Sequence, residues 1–111
     1  MDITPLSDRL AVAPQIRPQD LGDVAAAGFV GIVNNRPDGE APDQPSSFEL
    51  ETAARRHGLR YWHIPIVPGE MMEQHVRELA AALEQADGPL LAFCRTGNRS
   101  ATLFKAAQAL S

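Results

Sequence analysis

Apolar positions along the chain follow two rhythms. Unbroken apolar runs at residues 10–13, 29–33 and 90–93 have the length of strands covered on both faces. Between them, apolar residues recur every three or four positions, which is the period of a helix. Pro18 suits the first turn of a helix carrying Leu21, Val24 and Ala25, which Gly28 stops. Ser46 and Glu49 read as a capping box that opens a helix with the stripe Leu50, Ala53, Ala54 and His57, and Gly58 closes it. Residues 61–66 form another strand candidate, whose end Pro65 and Pro68 stiffen. Met72, Val76, Leu79, Ala80 and Leu83 mark the clearest helix, and a last one over 100–110 turns Leu103, Phe104 and Ala107 inward. This alternation predicts one three-layer α/β domain over residues 1–111, with a central, mainly parallel sheet of four or five strands. Ligands of such sheets bind outside the carboxyl ends of the strands.

Two segments fall at such ends. Residues 34–47 hold three prolines, one glycine and three acids, more than a simple connection needs and typical of a loop that borders a site. Arg36 stands at its start beside Asn34 and Asn35, placed either to face a bound anion across the crevice or to pair with the acids that follow it. The second segment, Cys94-Arg95-Thr96-Gly97-Asn98-Arg99-Ser100, joins the 90–93 strand to the last helix. Gly97 allows a backbone conformation closed to other residues, so several N–H groups can converge, and the helix adds its positive end. The result is an anion nest around a cysteine, which favours the thiolate; Arg95 and Arg99 act in the same direction. Cys94 is therefore the candidate nucleophile. Arg99 is the oxyanion ligand with two parallel donors, and Ser100 the hydroxyl placed to cap the helix and to donate to the sulfur. Arg95, Thr96, Gly97 and Asn98 complete the anion-binding loop.

Composition narrows the function classes. Ten Lys and Arg against fourteen Asp and Glu give a formal charge of −4, which argues against nucleic acid as a partner. The longest mostly apolar stretch, 24–33, is half of what a membrane helix needs and is interrupted by two glycines. The N-terminus lacks the charge and apolar run of an export signal, so a soluble cytoplasmic protein is expected. The single cysteine excludes an intrachain disulfide, and with only His57, His63 and His75 beside it no zinc-ligand spacing arises, so neither metal nor cofactor is expected. The short tail after Leu110 fits an excised domain as well as a whole protein.

The runs at 33–37, 61–65 and 93–100 resemble the small bacterial β-lactamase-hydrolase-like family, and the resemblance covers nearly the whole chain. It implies the fold of dual-specificity protein tyrosine phosphatases. It also implies, for some members, fusion to or neighbourhood with a metallo-β-lactamase-like sulfur dioxygenase and a rhodanese-like sulfurtransferase activity. Two departures from the phosphatase pattern stand out. Only four residues separate Cys94 from Arg99, where those phosphatases have five, and the loop after 61–66 offers Glu70 in place of their aspartate acid. Glu70 is the candidate general acid, or else a first-turn acid of the helix after it. A six-residue loop is similar to the rhodanese cradle, and sulfur transfer expels a weakly basic anion without an acid. The sequence thus favours sulfane-sulfur transfer through a Cys94 persulfide, with a small thiol or sulfane-sulfur substrate. The alternatives are a phosphatase acting on a phosphoester through a phosphocysteine, and a non-enzymatic anion-binding module.

Overall fold

The structure, a computed structural model, describes residues 1–110. Five strands form one sheet: β1 (Thr4–Pro5), β2 (Leu10–Ala13), β3 (Gly31–Asn34), β4 (Arg60–His63) and β5 (Leu90–Phe93), in the order β1-β2-β5-β3-β4. β2, β5, β3 and β4 run parallel, and only the two-residue β1 is antiparallel, against β2. Four helices cover the sheet: α1 (Leu21–Ala26), preceded by a 3-10 turn at Pro18–Asp20, α2 (Ser47–Arg56), α3 (Glu73–Gln85) and α4 (Asn98–Gln108).

The period-two alternation of β5 sorts the core into two layers. Leu90 and Ala92 pack with Leu79, Ala82, Leu103 and Phe104 of α3 and α4. Leu91 and Phe93 point the other way, to Leu21, Val24, Leu50 and Ala54 of α1 and α2. Every residue of β2, β3 and β5 is buried, as expected of parallel strands with helices on both faces. The three-layer α/β architecture is the consequence.

Most predicted elements appear where the pattern puts them. Ser46 caps α2 reciprocally: its hydroxyl accepts from the Glu49 N–H and its own N–H donates to the Glu49 carboxylate, an arrangement worth about 1 kcal/mol. The strand expected at 61–66 is regular only over Arg60–His63, because Pro65 has no N–H to give. The Ile64 and Ile66 N–H groups still donate to the carbonyls of Asn34 and Asn35, so β4 stays tied to β3 beyond its last regular residue. Met72, assigned to the apolar stripe of α3, is 58% exposed; α3 begins one residue later, with the His75 ring accepting from the Met72 N–H. β1 is absent from the pattern because two edge residues carry no periodicity.

Candidate active site

All four parallel strands end on the same rim, and the candidate site is built from the segments that leave their carboxyl ends. β5, the middle strand, runs directly into Cys94, which is wholly buried. The loop then turns on Gly97, at φ +94°, a conformation that a side chain would strain; a Cβ there would also lie 3.4 Å from the Ala13 carbonyl oxygen. That turn points the Gly97 N–H back at the Cys94 sulfur, 3.0 Å away. α4 starts at the next residue, and the N–H groups of Arg99 and Ser100, with that of Thr96, add their field at the sulfur to the hydrogen bond from Gly97. Burial alone would push the Cys94 thiol up. The N–H groups of Ser100, Thr96, Arg99 and Gly97 outweigh it and hold the thiol below its ordinary value. The loop thus sets backbone N–H groups around the sulfur, the arrangement that an anion nest requires. Backbone groups lead, the Arg99 guanidinium also interacts with the sulfur, and the Asn98 N–H turns away from it, donating to the Thr96 hydroxyl oxygen at 3.3 Å.

Arg99 is held from outside the loop. Its Nη1 donates to Glu40 Oε2 at 2.8 Å and to the Ile66 carbonyl at 2.8 Å, and its Nη2 donates to Glu40 Oε1 at 2.9 Å. A guanidinium has five N–H donors, so these three contacts leave the Nε–H and one Nη2–H. Those two lie on one edge of the fork and point in parallel. The end of the guanidinium is therefore clamped, while the remaining edge has no oxygen partner among the described residues and, with Cys94 as its neighbour, can meet a tetrahedral oxyanion. Glu40, with the Cys94 sulfur adding to it, holds Arg99 above its usual value against the opposing effect of burial. In return Arg99 first, and Arg36 after it, hold the Glu40 carboxyl below the usual carboxylate range in spite of partial burial.

Arg36 needs correcting as an anion ligand. Its side chain is 6% exposed, with Nε on Glu40 Oε1 at 2.9 Å and Nη1 on Gln15 Oε1 at 3.0 Å. It pairs with the acidic loop, the other placement its position allows, and so fixes Glu40. Ser100 needs correcting too. The Asn35 amide donates from Nδ2 to the Ile64 carbonyl, so its Oδ1 must accept, and the Ser100 hydroxyl donates to it at 2.7 Å. The single hydroxyl proton is thereby committed away from the sulfur, and Ser100 serves Cys94 through its backbone. The cap of α4 is Gly97 rather than Ser100.

The remaining candidates stand further out. Arg95 is exposed and makes no ion pair among the described residues, its carbonyl accepting from the Gln15 N–H at 3.2 Å. Glu70 is exposed on a turn in which its N–H donates to the Val67 carbonyl at 2.9 Å and Gly69 has φ +79°. It lies outside α3, so it is not a first-turn acid, and its carboxylate makes no hydrogen bond among the described residues. Among the described residues, no three of the His, Cys, Asp and Glu side chains come together as a metal site.

Glu40 is the functional residue that sequence reading missed, together with Asn35, Gln15 and Tyr61, which stabilise the rim. Tyr61 donates to or accepts from Ser47 at 2.8 Å, accepts from Asn34 Nδ2 at 2.9 Å, and is pushed up chiefly by burial. Asp38 accepts from the Ser47 N–H at 2.7 Å, which ties the 34–47 loop to α2. The one available signal was the pair Asn34-Asn35 directly after an apolar strand, since buried amides have to be spent on neighbours.

The family model for the phosphatase-like domain of β-lactamase hydrolase-like proteins matches residues 2–111. A β-lactamase hydrolase-like protein of Agrobacterium fabrum is 35% identical over 105 residues, covering 95% of this chain and 24% of the relative. One from Xylella fastidiosa is 33% identical over 104 residues, with 94% and 24% covered. The chain thus spans about a quarter of the length of these curated relatives. Among solved structures, a candidate phosphatase of Neisseria meningitidis superposes with a TM-score of 0.86 at 30% identity, covering 94% of this chain and 74% of that one. Tk-PTP in its active form superposes at 0.67 with 20% identity, covering 96% and 80%, a likeness of fold.

Proposed function

Because the chain belongs to the family of phosphatase-like domains of β-lactamase hydrolase-like proteins, we propose that it is a cysteine-dependent hydrolase of small phosphate monoesters. The observation that carries this reading is a buried cysteine hydrogen-bonded by the Gly97 N–H at the start of a helix, beside an arginine clamped by Glu40 and Ile66 with donors left over. The Cys94 thiolate attacks phosphorus; a P–S bond forms as the P–O bond to the leaving group breaks, and the departing oxygen takes the electron pair. The three equatorial oxygens gain charge where the loop N–H groups and Arg99 donate. Water then attacks the phosphocysteine, a P–O bond forms, the P–S bond breaks, and the thiolate returns with inorganic phosphate and a proton as the other products.

Glu70, the acid of the 67–70 turn, is exposed and its carboxylate is not held in place by any hydrogen bond among the described residues, so substrates whose leaving group is weakly basic are the ones this reading favours. Sequence alone favoured sulfur transfer, and the four-residue spacing between Cys94 and Arg99 still supports it as a second reading. The family and structural likenesses support the phosphatase more. The test is direct. An aryl phosphate such as 4-nitrophenyl phosphate should be hydrolysed by the parent protein and not by Cys94→Ser, and vanadate should compete as a mimic of the transition state. If the aryl phosphate is inert while thiosulfate adds one sulfur to the mass of Cys94, the sulfur-transfer reading replaces this one.

A further inference from the structure

The rim of the loop is not closed on the side of α4. An open recess of about 340 Å³ lies there, lined by Ile66, Gly69, Met71, Asn98, Arg99 and Thr102. Three properties make it more than a surface irregularity. It is continuous with the reacting groups, because Arg99 forms part of its wall and also faces the nucleophile. It contains no carboxylate and no cation except Arg99, and its apolar walls, Ile66 and Met71, are anchored in the core. The 66–71 segment forms one wall, turning at Gly69, whose φ is +79° and where a Cβ would meet nothing within 4 Å.

Cys94 is wholly buried, so everything in a substrate beyond its oxyanion has to rest on this rim. The recess lies within the size range in which small-molecule sites are found. Its lining holds no carboxylate, and its one cation, Arg99, is already paired with Glu40, so it offers little to the charged residues that flank a modified side chain in a protein. Resting on the phosphatase reading of the same loop, we infer that this recess is a substrate subsite for an apolar, ring-bearing body, and that the natural substrates are small apolar phosphate monoesters rather than phosphoproteins. Asn98 and Thr102 then act at the polar border of the subsite, and Thr102, exposed on α4, decides how much of it is open.

The test uses probes that bind without reacting. Methylphosphonate and 2-naphthylmethylphosphonate share the anion and differ in the ring system. In NMR titrations of the intact chain, both should shift the Gly97 amide, and the naphthyl compound alone should shift the Thr102 amide. Burying about 60 Å² of ring surface should make the naphthyl compound about tenfold tighter. Thr102→Trp should cancel that gain and leave methylphosphonate affinity unchanged, whereas Thr102→Ala should keep the gain. Equal affinity of the two probes, a gain that survives Thr102→Trp, or tighter binding of a phosphonate-bearing peptide than of the naphthyl probe would overturn the inference. Failure of the phosphatase reading looks different: the naphthyl preference persists but 2-naphthyl phosphate is not hydrolysed.

Discussion

The two sides of the candidate site are built in opposite ways. On the side of β5 and α4, each group is held by its neighbours: the sulfur by the Gly97 N–H, Arg99 by Glu40 and Ile66, Glu40 by Arg36, and Arg36 by Gln15. On the facing side, residues 67–70 form an exposed turn, with Val67 at 49% exposure and a Glu70 carboxylate that contacts nothing among the described residues. The difference teaches what the site is prepared to do. Under the proposed function, it is built to stabilise negative charge on sulfur and on a transferred group, and it leaves the departing group to its own basicity.

The sharpest way to break that comparison is at Arg99. Lysine supplies the charge but neither the paired donors nor a second edge for Glu40, so Arg99→Lys should lower kcat/KM for an aryl phosphate by about a hundredfold. A loss of less than about threefold would mean that the clamp has no catalytic purpose.

Glu40→Gln should cost less, about tenfold in kcat with the fold retained, since the guanidinium keeps its charge but loses its orientation. Its pH dependence carries a sign. The folded protein holds the Glu40 carboxyl below its ordinary value, so the pairing stabilises the fold above that value and is lost as pH falls through the folded one. The gap in Tm between parent and Glu40→Gln should accordingly be largest near pH 7 and narrow below about pH 4. A gap independent of pH would assign Glu40 a role in packing alone.

The smallest expected effect is on the facing side. Glu70→Gln should change aryl phosphate turnover by less than about twofold. A large loss that is greater still for alkyl phosphates would show that the two sides are less unequal than their contacts indicate.

Legibility in the sequence divides along the same line. The candidate nucleophile Cys94, the Gly97 turn and Arg99 lie within six consecutive residues, so local chemistry and local spacing define them together. The parallel order was equally readable, because strands buried on both faces leave unbroken apolar runs. Glu40 was not readable: its partner Arg99 is 59 positions away, and the pairing arises only because β3 and β5 are neighbours that end on one rim. Ser100 shows a subtler limit. Its position was identified, but the direction of one hydroxyl proton is decided by Asn35, 65 positions earlier, whose own amide is already spent on Ile64. Arg36 had two partners within reach on paper, and the nearness of Glu40, four residues on, selected the acid over the substrate.

The bond between Ser100 and Asn35 also bears on timing. When a phosphocysteine breaks down, charge returns to sulfur, and a hydroxyl proton aimed there would hasten its departure. Here that proton is directed to a buried amide oxygen, Asn35 Oδ1, which lies 2.7 Å from the Ser100 Oγ. The second half of the reaction, rather than the first, should then limit steady turnover of a good aryl leaving group. In rapid mixing, the aryl product should appear in a burst matching the amount of enzyme, succeeded by a slower linear phase, and acid quenching during that phase should trap most of the protein with phosphate on Cys94.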